Sequence, residues 1–189
     1  MCFKLTAKNR ISNEYYALTL LIFLKLDFKE KSLCYNDIQI IIVNKEQFII
    51  PLEIHPTKNT TNQKINGSLT VIWRNWDSKI SKDPEMVYVS SVNAGEIKGP
   101  HLHTQRNSYF TCIRGKVVFI IKYDGKYIEI ETGENDPQMI FVPKNIPSAH
   151  INLSNGISSI ITLADISWKP DDDEMKNISF DDYDWSKWK

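Results

Sequence analysis

Apolar positions along this chain come in short runs, rich in β-branched and aromatic residues and separated by turn residues. Ile38–Val43 and Gln47–Ile54 open the series, followed by Ser68–Arg74 and Pro84–Val92. Tyr109–Ile113, Val117–Ile121, Tyr127–Glu131, Gln138–Val142, His150–Leu153 and Ile157–Leu163 continue it. Gly, Asn or Pro breaks the pattern at intervals of roughly 8–12 residues, which predicts a sandwich or barrel of short strands. No helix-length amphipathic pattern interrupts them. Asp124-Gly125 between two such runs predicts a hairpin turn. His55–Gly67 is polar and without periodicity, and reads as a loop. The chain divides into an extension (1–35), a β domain (36–168) and a tail (169–189). That tail is acidic, yet Trp168, Tyr183, Trp185 and Trp188 carry too much apolar area to stay in water; it is expected to pack on the barrel or on a partner subunit.

Three of the four histidines fall in two motifs. Gly95-Glu-Ile-Lys-Gly-Pro-His101-Leu-His103 leads on to Ser108 and Gly115, and Gly133 leads through Phe141-Val142-Pro143 and Pro147 to His150. On a strand, His-x-His places both rings on one side, because side chains alternate with a period of two. His150, about 47 residues beyond on another strand, can close a three-imidazole pocket. Proton transfer and metal ligation both follow from such a set; as ligands, His101, His103 and His150 would hold Zn, Mn or Fe. Lys98, Arg106 and Arg74 are candidate diphosphate ligands, Arg pairing phosphate oxygens bidentately. Tyr109, Trp73 and Trp168 are candidates for stacking on a base or sugar, with core packing the competing reading. His55 sits in a polar stretch and is expected to be exposed.

Composition narrows the partners. Lys plus Arg equals Asp plus Glu, 23 each, so no basic field argues for nucleic acid or an anionic membrane. Three separated cysteines, Cys2, Cys34 and Cys112, build neither a disulfide framework nor a metal knuckle, which favours a reducing, cytoplasmic setting. Cys112 reads as an inert buried thiol. The apolar run Tyr15–Leu24 is too short to span a bilayer and lacks a small-x-small cleavage site, so it is read as a buried element or N-terminal extension rather than an export signal. The tail carboxylates Asp171–Asp173 lack calcium-loop spacing and are expected to be solvated.

The spacing Gly-x5-His-x-His-x4-Ser-x6-Gly is similar to the first signature of the cupin superfamily, with Ser108 where that pattern has Glu. The second stretch is looser, Pro143 lying seven residues before His150 with no Gly between. Ile97-Lys-Gly-Pro-His101 with Tyr-Phe-Thr-Cys-Ile-Arg-Gly115 resembles the sugar-nucleotide branch, above all the dTDP-4-dehydrorhamnose 3,5-epimerases and their relatives. The resemblance covers roughly residues 48–188. It implies an all-β cupin jelly roll, usually dimeric, working without a metal on a nucleoside-diphosphate 4-keto-6-deoxy sugar for polysaccharide or glycoconjugate assembly. In that family a His is the base, a Lys holds the enolate and a Tyr is the acid. His101 matches the base, which makes His103 the acid or orienting partner, and His150 matches the second-motif His. The Lys falls on Ser108 and the Tyr on Leu163, neither of which can do the work. The sugar-nucleotide 3,4-ketoisomerases carry a similar Gly-x-His-x-His stretch and move protons with paired histidines. A metal-binding cupin and a non-catalytic sugar-binding relative are the other readings.

Overall fold

The structure is a computed structural model and describes residues 44–189. Cys2, Cys34, the 1–35 extension with its apolar run, and the Ile38–Val43 strand lie outside the described residues. Twelve strands follow in order: β1 (Ile49–Pro51), β2 (Glu53–Lys58), β3 (Ile65–Val71), β4 (Met86–Val92), β5 (Ile97–His103), β6 (Ser108–Arg114), β7 (Lys116–Tyr123), β8 (Lys126–Gly133), β9 (Gln138–Val142), β10 (Ser148–Asn152), β11 (Ser158–Ala164) and β12 (Met175–Asn177). They form two five-stranded antiparallel sheets, β1-β9-β6-β11-β4 and β12-β5-β10-β7-β8, and a separate β2-β3 pair. This is the expected cupin jelly roll, an all-β fold.

Alternation decides what the two sheets enclose. Cys112 on β6, Val117, Phe119 and Ile121 on β7, Ile128 and Ile130 on β8, Ile140 and Val142 on β9, and Ile160 on β11 pack between them with Phe48. The intervening residues of β7 and β10 (Val118, Ile120, Ala149, Ile151) face outward and are covered by Phe180 and Tyr183 of the tail. The aromatic content of the tail is thus spent on closing the outer face of one sheet. Asp124 and Gly125 both have positive φ, as the tight β7–β8 hairpin requires.

One expectation needs correction, and one strand was not expected. The polar stretch 55–67 is not a loop: most of it lies in the β2–β3 hairpin, paired from Glu53↔Val71 to Lys58↔Ile65. Because this ribbon stands off the core and is exposed along most of its length, it needs no apolar alternation, so the pattern could not reveal it. Secondly, the tail contains β12, which pairs with β5 through Met175↔His103, Lys176↔Leu102 and Asn177↔His101. Three residues without an apolar rhythm carry no strand signal.

Candidate functional site

The site grows from β5, which lies between β12 and β10. His101 pairs with Ser148, and then a register shift makes Lys98, rather than Gly99, the partner of His150. Cross-strand partners point to the same side, so Lys98 faces inward with His101, His103 and His150. Gly99 makes this possible: its φ is +93°, and an added Cβ would stand 2.9 Å from the Ser148 carbonyl oxygen. The structure therefore brings the three histidines and Lys98 to one interior wall. The His150 ring lies against Phe119, centroids 5.0 Å apart.

Each imidazole of the His-x-His pair is held from the tail. His101 Nδ1 is 2.9 Å from Asn177 Oδ1, and His103 Nδ1 is 3.1 Å from both carboxylate oxygens of Glu174. Glu174 is only 2 % exposed and also takes Arg106, whose Nη2 lies 3.2 Å from Oε1. An amide oxygen or a carboxylate accepts, so each Nδ1 carries a proton and each Nε2 is left with its lone pair. Arg106 Nη2 sits 3.0 and 3.1 Å from the two ring nitrogens of His103. With the Nδ1 proton committed to Glu174, Nε2 is the acceptor. Burial, with Arg106 beside it, holds His103 below the usual imidazole value despite the opposing pull of Glu174. His150 is pushed down to about 3, by burial first and then by Lys98 and His101. Both rings are therefore neutral bases near pH 7. His101 and His103, two positions apart on one strand, stand about 7 Å apart along it.

Other expected site residues lie elsewhere or are engaged. Tyr109 is on the opposite face of β6 from the interior: it is buried with Ile80, Met139 and Leu163, stacked on Phe141 at 4.8 Å, with its hydroxyl near Ser81. One step of strand parity puts it there. Arg74 is tied to Asp77 (2.9 Å) and Glu53 (2.8 Å) and makes no contact with the histidines. Arg106 is buried against Glu174 rather than free to receive a phosphate. Trp73 and Trp168 are partly exposed, and His55 is exposed beside Glu53. Cys112 is buried, which raises its thiol to about 11 and leaves it inert at neutral pH. Sequence reasoning missed Glu174 and Asn177. Glu174 closes an acidic run that reads as solvated, and only the aromatics beyond it signalled that this segment docks.

A three-histidine metal centre does not fit this geometry. Among the described residues no group of three or more His, Cys, Asp or Glu side chains is placed to hold a metal ion. The Arg106 guanidinium also stands at His103 Nε2, where a cation would have to bind. No helix among the described residues is long and apolar enough to cross a membrane.

Comparisons with known proteins bear on the same region. A family model described as FdtA, WxcM-like, C-terminal matches residues 52–183. Among solved structures, a dTDP sugar isomerase from Desulfovibrio desulfuricans G20 is 15 % identical, with 73 % of this chain and 89 % of that one covered at a TM-score of 0.62. The rmlC epimerase of Mycobacterium tuberculosis is 17 % identical over 69 % of this chain and 67 % of its own, TM-score 0.56. QdtA, a sugar 3,4-ketoisomerase from Thermoanaerobacterium thermosaccharolyticum in complex with TDP, is 17 % identical over 66 % and 86 %, TM-score 0.50. At these identities the likeness is one of fold. No curated protein matches the chain.

Proposed function

Since the chain belongs to the FdtA (WxcM-like, C-terminal) family, within the sugar-nucleotide branch of the cupins, we propose that it isomerises a 4-keto-6-deoxy sugar carried on a nucleoside diphosphate, with His101 as general base. The observation that carries this reading is the pair of imidazoles on one wall, each with Nδ1 held by a tail residue, His101 with Nε2 left as a base and His103 with Nε2 turned to Arg106. The ketone acidifies the neighbouring C–H, His101 Nε2 removes that proton, and the same imidazolium returns it to the adjacent carbon from the same side. His103, locked by Glu174 and Arg106, orients the reacting group from the neighbouring position. Lys98, exposed at the rim, pairs with the diphosphate, for which dTDP is the natural choice given the ligands named for the fold relatives.

A 3,5-epimerisation would need a carbon acid on the opposite face. The position where the epimerase Tyr falls, Leu163, points to the outer face of its sheet among Ile80, Tyr109 and Met139. Same-face return of the proton is a keto shift, and the keto shift is accordingly favoured over inversion. A homodimer belongs to the same proposal, supported by the exposed Ile54, Ile65 and Leu69 of the β2–β3 ribbon.

The test is dTDP-4-keto-6-deoxyglucose in deuterated water, followed by NMR. A 3-keto product with label at C4, or label at C3 of the remaining 4-keto sugar, is expected, and His101→Asn should slow its formation by about 10²–10⁴-fold without unfolding the protein. Label at C5 with inverted stereochemistry would make the protein an epimerase. Saturable binding with no exchange would leave only a sugar-binding cupin.

A further inference from the structure

The barrel interior leaves the ring of Phe110 partly open. Phe110 sits on β6, the middle strand of its sheet, and faces inward. Its neighbours on that face are Ser108 and Cys112 along the strand, with Ile140 on β9 and Thr162 on β11 across it. All four are at most 1 % exposed, yet Phe110 between them is only partly buried. On a middle strand, paired along both flanks, the open part of an inward ring can face only the space between the sheets.

The histidines border the same space. Phe110 packs on Phe119 across the sandwich, ring centroids 5.3 Å apart, and Phe119 in turn lies against His150 at 5.0 Å. Phe119 and His150 are cross-strand partners, and Ser148, the partner of His101, lies two residues before His150 on β10. The Phe110 ring therefore stands one strand repeat, about 7 Å, beyond the level of His101. His101 and His103 are themselves partly open on the facing wall. A ligand held at His101 thus meets imidazoles on one sheet and a phenyl ring on the other. The hydroxyls beside that ring, on Ser108 and Thr162, add nothing polar to it: both oxygens are buried without open surface and have no partner among the described residues.

A carbon surface in a site of nitrogen bases receives the carbon end of a ligand. In a 4-keto-6-deoxy sugar every carbon bears an oxygen except the C6 methyl, which hangs from C5, next to the reacting C4. We propose, on the sugar-nucleotide reading above, that Phe110 is a specificity-determining residue whose ring receives this methyl and selects 6-deoxy sugars against those with a hydroxyl on C6. Methyl against phenyl removes apolar surface of both from water. A C6 hydroxyl in the same place loses its water and finds no partner, the unfavourable case for a buried polar group.

Calorimetry on the wild-type chain compares dTDP-6-deoxyglucose, dTDP-glucose and dTDP alone; the two sugars differ only in the oxygen on C6. The 6-deoxy sugar is expected to bind tighter by about tenfold or more. Phe110→Ala, checked for a retained fold by circular dichroism, should bring the two sugars within about twofold of each other and leave dTDP unchanged. Equal affinities in wild type, or a preference kept in the folded variant, overturn the proposal. If Phe110→Ala does not fold, wild type decides by NMR. Nuclear Overhauser contacts from the C6 methyl protons to the Phe110 ring are expected, and their absence with ligand bound overturns the assignment. Exchange on dTDP-4-keto-6-deoxyglucose, measured alongside, separates this proposal from the reading it rests on. Wild type that discriminates at C6 but neither exchanges nor turns over sinks the keto shift and leaves Phe110 as assigned. Turnover without discrimination sinks Phe110 alone, and wild type that binds no sugar nucleotide sinks both.

Discussion

His150 shows how a single residue ties the site to the stability of the barrel. It is 8 % exposed, its Nε2 has no partner among the described residues, and its ring rests on Phe119. Its folded value of about 3 lies below the ordinary imidazole value of 6.5. The unfolded chain therefore takes up a proton that the folded chain refuses, and stability is full above about pH 6.5 and lost as pH falls towards 3. The loss amounts to at most about 1.4 kcal/mol per pH unit. His103, shifted the same way, adds to it. His150→Leu removes the larger of the two contributions, so its thermal midpoint should fall less than that of wild type between pH 7 and pH 5. Parallel curves for the two proteins would mean that His150 is protonated in the fold. His150 was legible in the sequence as a site candidate, but its protonation state was not, because that depends on Phe119 and Lys98 arriving from other strands.

At the scale of the element, β5 owes its chemistry to a break in regularity. A strand with unbroken alternation would turn Lys98 away from His101. The register shift against β10 turns it back, and Gly99 permits the approach because it has no Cβ to meet the Ser148 carbonyl at 2.9 Å and the Ala149 Cα at 3.2 Å. Gly99→Ala forces a side chain into positive φ against a backbone that cannot yield without moving β10. A loss of about 1–3 kcal/mol is expected, a drop in Tm of roughly 3–10 °C. The displaced β5 should lower turnover as well. An alanine variant with wild-type Tm would show that β10 gives way freely. Which backbone Gly99 approaches was decided by the pairing of β5 with β10.

At the scale of the whole molecule, the tail is both lid to the outer face and scaffold to the site. Phe180 and Tyr183 bury Val118, Ile120, Ala149 and Ile151, while Glu174 and Asn177, just upstream, fix the tautomers of His103 and His101. Stability and catalysis are therefore coupled through one segment. Phe180→Ala, whose side chain touches no histidine, should lose about 3–5 kcal/mol and become sensitive to proteolysis beyond residue 173. Its activity should fall with the undocking of the tail. A protease-resistant variant with full activity would separate the two roles.

The sequence by itself determined what depends on local period and turn chemistry. The alternating runs predicted β6 to β11 nearly residue for residue, Asp124-Gly125 predicted the β7–β8 hairpin, and His-x-His spacing put His101 and His103 on one face. Period fixes which residues share a face, but not which face becomes the interior. Tyr109 accordingly went to the outer cluster while Ser108 and Phe110 turned inward. Nor does local pattern say which remote segment fills the edge of a sheet. Only the folded chain brought Glu174 and Asn177, more than seventy residues away, to the two imidazoles. The charge of Glu174 is tolerable there because Arg106 and His103 share it in a site closed to water, an arrangement set by three-dimensional proximity alone.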